Sequence, residues 1–78
     1  MTKGLERIIE ELKGENKEII IERLYSENKI AKQSHKLRLA SDLNNLIFYL
    51  NNPEIKPGGV KKEDLSIFKE LLSSIERV

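Results

Sequence analysis

Cysteine is absent from this sequence, and histidine occurs once. The chain therefore forms no disulfide and offers no thiolate ligand, and one histidine alone does not make a zinc site, which takes three or four protein ligands. Long apolar runs are also missing, because runs such as Ile19–Ile21 and Leu46–Leu50 are far shorter than the roughly 20 residues of a membrane-spanning helix. No apolar signal core follows the first residues. We expect a cytoplasmic protein that makes no contact with a membrane.

Glycine and proline are scarce, and their positions divide the chain. Nothing between Gly14 and Pro53 is glycine or proline, whereas the segment 51–59 holds two of each. Such a segment is typical of a loop. We expect helices over residues 3–13, 16–27, 29–51 and 61–77. The chain is thus predicted to be all-α, a single helical domain over residues 1–78, built as a small bundle of three to four helices that dimerisation completes.

The expected helices carry apolar residues at the i, i+3, i+4 and i+7 spacing of a buried face. These residues are Leu5, Ile8, Ile9 and Leu12 in the first helix, Leu39, Leu43, Leu46, Ile47 and Leu50 in the third, and Leu65, Phe68, Leu72 and Ile75 in the last. The run Ile19–Ile21 in the second segment would also suit a strand. A lone strand would leave its backbone groups unpaired, so a helix is the better prediction there.

The chain between Gly14 and Pro53 has two interpretations. In the first, the weak helix formers at Ser26–Lys29 turn the chain and separate two helices. In the second, a single helix of about 36 residues runs through, and the middle of its apolar stripe is small and polar. We favour the turn. A DNA-binding helix-turn-helix fits the sequence poorly. Its turn would fall at Ser34–Lys36 and usually contains glycine, but these three residues include no glycine.

The third helix has apolar residues on two sides, since a second, thinner line runs roughly opposite its main stripe. A chain of this length buries only about 60–65% of its unfolded surface, so both sides are hard to cover from within. We therefore predict a homodimer. Its expected interface residues are Ile30, Leu37, Asn44, Phe48 and Phe68. A buried Asn44 would fix the register of the paired helices.

Charge is nearly balanced over the whole chain, at +1, but it is unevenly distributed. Residues 29–41 hold four basic side chains and no acid. Lysines on one helical face suit phosphates, because each contact releases a counterion. The candidate nucleic-acid-binding or anion-binding residues are Lys29, Lys32, His35, Lys36 and Arg38, together with Lys61 and Lys62 after the glycines of the loop. The plainer interpretation is a solvated helix end, and an acidic protein partner is a third one.

Catalysis is not expected. Ser34 and His35 are adjacent, as are Ser41 and Asp42, and neighbours on a helix point about 100° apart, so neither pair can act as a nucleophile with its base. We expect no cofactor and no metal. The leading hypothesis is a small helical protein–protein interaction or regulatory module that acts as a homodimer. The alternative is a small nucleic-acid-binding regulator that uses the basic face of the third helix.

Overall fold

The computed structural model describes residues 3–55 and 58–76, and over these residues the fold is all-helical, with four α-helices and no strand. The helices are α1 (Lys3–Leu12), α2 (Lys17–Gln33), α3 (Leu37–Asn51) and α4 (Lys62–Glu76). The prediction of an all-α fold is confirmed. Among the described residues, no helix is both long enough and apolar enough to cross a membrane.

The passage from α1 to α2 follows the sequence signals. Gly14 adopts a left-handed conformation with φ of 89°, which glycine reaches without a steric penalty, and it ends the first helix. Asn16 caps the second helix, because its side-chain oxygen accepts a hydrogen bond from the backbone N–H of Ile19 at 3.0 Å. These two residues set where α1 ends and where α2 begins.

The break between α2 and α3 lies where the sequence showed no glycine. The predicted turn at Ser26–Lys29 is wrong, since those residues are helical, and the single continuous helix is wrong as well. The chain turns at Ser34–Lys36, where His35 takes a left-handed conformation with φ of 58°. The N–H of Lys36 donates to the Ala31 carbonyl at 2.8 Å, and that of His35 to the Lys32 carbonyl at 3.2 Å. These two bonds form a Schellman motif, the common helix C-terminus that normally has glycine at the left-handed position.

Small residues let α2 and α3 approach each other beside this turn. Ala31 and Ala40 are the two alanines of the chain, and both are buried. Between the same two helices, the Asn28 side-chain amide donates to the backbone carbonyl of Ala40 at 2.8 Å. The buried amide is thereby satisfied, and it fixes how the two helices cross.

The core centres on α3, which packs against each of the other three helices. Its side facing inward meets apolar residues of α1, α2 and α4, with Phe68 of α4 among the most enclosed. The rings of Phe68 and Tyr49 lie 6.1 Å apart and tilted, a favourable aromatic arrangement. The radius of gyration is 11.5 Å, the value of about 11.5 Å expected for a compact chain of this length. The fold therefore closes around its own core, and any unburied apolar surface has to be sought on the outside.

Candidate interaction surface

The outward side of α3 carries apolar residues that the bundle does not cover. Leu37 is 69% exposed and Phe48 is 44% exposed. Ser41 and Asn44, also exposed, lie between them on the same side, so that all four fall within about 60° of arc on a helix of 3.6 residues per turn. We call these four residues the α3 stripe.

The α3 stripe contains no charged residue, although charged residues make up 35% of the chain. Between Arg38 and Glu54 the only charged side chain is Asp42. Asp42 is partly buried and interacts with Asp64 of α4, so it lies on a different side of the helix. Docking another surface onto the stripe would therefore desolvate apolar groups and neutral polar groups but no charge, which keeps the cost of association low.

Three of the five predicted interface residues share one exposed side of α3. Leu37, Asn44 and Phe48 lie on the α3 stripe, and Ile30 is exposed on α2. Phe68 differs, because it is 1% exposed and belongs to the core. It supports α3 from within and contributes no outer surface.

The basic side chains predicted for one face of the third helix lie instead around the turn between α2 and α3, because Lys29 and Lys32 belong to α2 and Arg38 to α3. All are exposed, and we call them the basic corner: Lys29, Lys32, His35, Lys36 and Arg38. The ion pairs among the described residues involve Lys13 and Arg23, as in the 2.9 Å contact from Arg23 to Glu11, and none of them includes a cation of the corner. The corner is thus a positive surface outside these close ion pairs, on a nearly neutral protein.

Asp42 interacts electrostatically both with the basic corner and with residues at the start of α4. Burial raises the pKa of the Asp42 carboxyl, and the nearby Asp64 carboxylate raises that pKa further, while Arg38 and Lys61 act in the opposite direction. Arg38 and Lys61 therefore both lie near Asp42. Lys62 is exposed at the first position of α4.

A groove of about 480 Å³ adjoins the start of α3. It is lined by Gly4 of α1 and by residues 35–39. A Cβ atom on Gly4 would lie 3.6 Å from the side chain of Leu39, so α1 comes close to α3 here. Leu37 of the α3 stripe shares the groove with His35, Lys36 and Arg38 of the basic corner. The two candidate surfaces are therefore continuous at this end of α3.

Sequence reasoning missed the residues that position both surfaces. The turn at Ser34–Lys36 sets the direction of α3, and Asn28 with the two alanines sets its distance from α2. The signal was present in the sequence, because the only two alanines flank the turn at positions 31 and 40. Small residues on both sides of a short segment indicate two helices in close contact rather than a long helix with a weak core.

No cluster of three metal-ligating side chains occurs in the parts of the chain that the structure describes. Comparison of the chain with protein-family models, with curated proteins and with solved structures gave no match in any of the three.

Proposed function

We propose that this protein is a small helical protein–protein interaction module that acts by binding rather than by catalysis, and that it associates with a second copy of itself through the α3 stripe. The observation that carries this proposal is the exposure of Leu37 and Phe48 on a charge-free helical side. Isolated exposed apolar residues are common on proteins, and Ile19 and Tyr25 are examples here. The stripe differs because its apolar residues lie on one side with neutral polar residues between them.

The expected strength follows from the exposed area. Covering the open 44% of Phe48 removes roughly 90 Å² from water, worth about 2 kcal/mol per protomer at about 25 cal/mol per Å². One helical stripe offers less than the roughly 1,200–2,000 Å² of a standard stable interface. We therefore expect a weak dimer that forms at micromolar or higher protein concentration.

Sedimentation equilibrium over a range of protein concentrations tests this. Phe48→Asp removes the apolar anchor and introduces a charge, so it should raise the dimer Kd at least about 30-fold. Leu37→Asp should act in the same direction, and an acidic residue at the first position of α3 suits the helix N-terminus. Both variants should keep the helical circular dichroism of the parent.

Tyr25→Asp is the matched control. Tyr25 is an aromatic residue with 56% exposure, but it lies on α2 and does not belong to the stripe. This variant should leave the Kd within about twofold of the parent value, because the charge enters a surface outside the interface. A parent protein that stays monomeric at high micromolar concentration, or a Tyr25→Asp effect as large as that of Phe48→Asp, would contradict the proposal.

The basic corner supports a second candidate, a nucleic-acid-binding regulator. Its four cations, Lys29, Lys32, Lys36 and Arg38, are exposed together with His35 and lie outside the ion pairs seen among the described residues. Clustered lysines that meet phosphates produce an affinity that falls steeply with salt, with a log–log slope of about −0.9 for each duplex phosphate neutralised.

Fluorescence anisotropy with a labelled duplex, measured in rising salt, tests this candidate. Lys32→Glu with Lys36→Glu should weaken binding and flatten the salt slope by about 2. Lys17→Glu with Lys69→Glu makes the same charge change on exposed residues outside the corner and should have a smaller effect. Absence of binding at low salt, or equal losses in the two double variants, would remove this candidate.

A further inference from the structure

The order of residues along the α3 stripe reads the same in both directions. Leu37, Ser41, Asn44 and Phe48 are separated by four, three and four positions, with a large apolar residue at each end and small polar residues in the middle. If a second α3 is turned end for end about an axis between positions 42 and 43, Leu37 faces the partner's Phe48. Ser41 then faces the partner's Asn44. An isologous twofold interface needs this kind of self-complementary surface.

The polar centre selects the alignment of the two helices. Ser41 and Asn44 both carry hydrogen-bond donors and acceptors, so they can satisfy each other across the axis. Sliding one helix by a turn would place Ser41 or Asn44 against Leu37 or Phe48 and would bury polar groups without partners, which is costly. Pairing at the centre therefore favours a single register.

Apolar contacts alone do not distinguish parallel from antiparallel helices, because parallel pairing would also place apolar residues against apolar residues and polar against polar. The distribution of charge favours one of the two. The start of α3 carries Lys36 and Arg38, whereas its far end has the negative pole of the helix dipole with Glu54 just beyond it. A parallel pair would place two basic corners side by side, about 8–10 Å apart. An antiparallel pair separates the two starts by about 16 Å along the axis, about twice the screening length of about 8 Å, whereas the parallel spacing is close to one screening length. It also sets each start near the opposite end of the other helix.

We infer that two copies of this chain pair antiparallel along α3, about a twofold axis between Asp42 and Leu43, with Leu37 against the partner's Phe48 at both ends. This pairing rests on the self-association proposed above and adds its orientation and register. Each basic corner then lies at an outer end of the dimer and stays open to solvent.

The lack of native cysteine makes disulfide trapping a clean test. Leu37→Cys and Phe48→Cys proteins are mixed in equal amounts and oxidised under mild conditions. In the antiparallel mixed dimer one end forms a disulfide, while the other end keeps the native contact of leucine with phenylalanine. In either homotypic dimer the two cysteines lie about 16 Å apart, too far for a disulfide, which needs Cα atoms within about 7 Å.

Intact mass spectrometry separates the three products, because the two substitutions change the chain mass by different amounts. We expect the mixed disulfide dimer to exceed each homotypic one at least about fivefold. Ser66→Cys, an exposed position on α4, gives the yield from random collision. Predominance of homotypic dimers would show parallel pairing and overturn the inference while leaving self-association through α3 intact. If all disulfide dimers form only at the yield of Ser66→Cys and the parent protein sediments as a dimer, the antiparallel pairing is overturned. If the yields are that low and the parent sediments as a monomer, both the pairing and the proposed self-association are overturned.

Discussion

Replacement of His35 by glycine is expected to stabilise the protein. His35 has φ of 58°, and the left-handed region costs a residue with a Cβ atom roughly 1–2 kcal/mol. Glycine removes that cost but adds about 0.4–1 kcal/mol of backbone entropy in the unfolded chain. The net gain in free energy of unfolding should be about 0.5–1 kcal/mol, or about 2–8 °C in Tm for a domain of this size.

The comparison with His35→Ala makes this prediction specific. Alanine keeps the Cβ atom and removes the imidazole, so it should give no gain. In the turn that the structure shows, the glycine variant should therefore be more stable than the alanine variant. In a continuous helix through position 35 the order would reverse, with alanine favoured by about 1 kcal/mol. Gln33→Gly, at the last residue of α2, should lower stability by about that amount and serves as the helical control.

Urea and thermal unfolding followed by circular dichroism at low protein concentration provide the measurement, so that self-association does not enter. A His35→Gly protein less stable than His35→Ala would refute the left-handed turn and with it the direction of α3. It would also restore the long helix that the sequence left possible.

Three further outcomes are expected from the same unfolding assay. Asn28→Ala should cost about 1–3 kcal/mol, because it removes the buried hydrogen bond to the Ala40 carbonyl, whereas Asn44→Ala on the exposed side of α3 should cost less than about 0.5 kcal/mol. Phe68→Ala should cost about 3–5 kcal/mol, since Phe68 is enclosed in the core, and a cost typical of a surface site would contradict that position. Burial and Asp64 raise the pKa of Asp42 in the folded protein, so its charged form lowers stability at neutral pH. Asp42→Asn should therefore be more stable than the parent at about pH 7, with a gain that shrinks as pH falls toward the ordinary carboxyl pKa and vanishes below it; a gain that grows in acid would contradict this.

Local signals in the sequence predicted much of this fold. The apolar spacing of Leu5 to Leu12, the glycine at 14 and the capping Asn16 specify α1 and the start of α2, and each acts over a few residues. Pro53 likewise disfavours helix in the residue before it, and α3 ends at Asn51. These features can be predicted from the sequence because they do not depend on which helices pack against each other.

The turn at Ser34–Lys36 was not predicted, because its cause is tertiary. His35 is a poor choice for a left-handed position, so propensity points to a helix there. The turn persists because Ala31, Ala40 and Asn28 hold α2 and α3 in close contact, which more than compensates for the strain. Apolar spacing alone suggests a weak core at the alanines and Asn28, although these residues form the contact between α2 and α3.

The candidate surfaces were predicted in part for a similar reason. Spacing alone showed that Leu37, Asn44 and Phe48 share a side of the third helix, and the structure leaves that side open. Spacing placed Phe68 on the apolar face of the last helix but did not decide whether that residue fills the core or a dimer interface, and in the structure it fills the core. Whether a residue fills the core or faces outward depends on which helices meet, and that follows from the turn.

The central claim is that a second copy binds the α3 stripe, and two-dimensional amide NMR of the parent protein over a concentration series tests it most directly. The account predicts concentration-dependent shifts that cluster on residues 37–48 and disappear in Phe48→Asp. Spectra that do not change up to millimolar protein, or shifts that cluster instead around Tyr25 on α2, would contradict it.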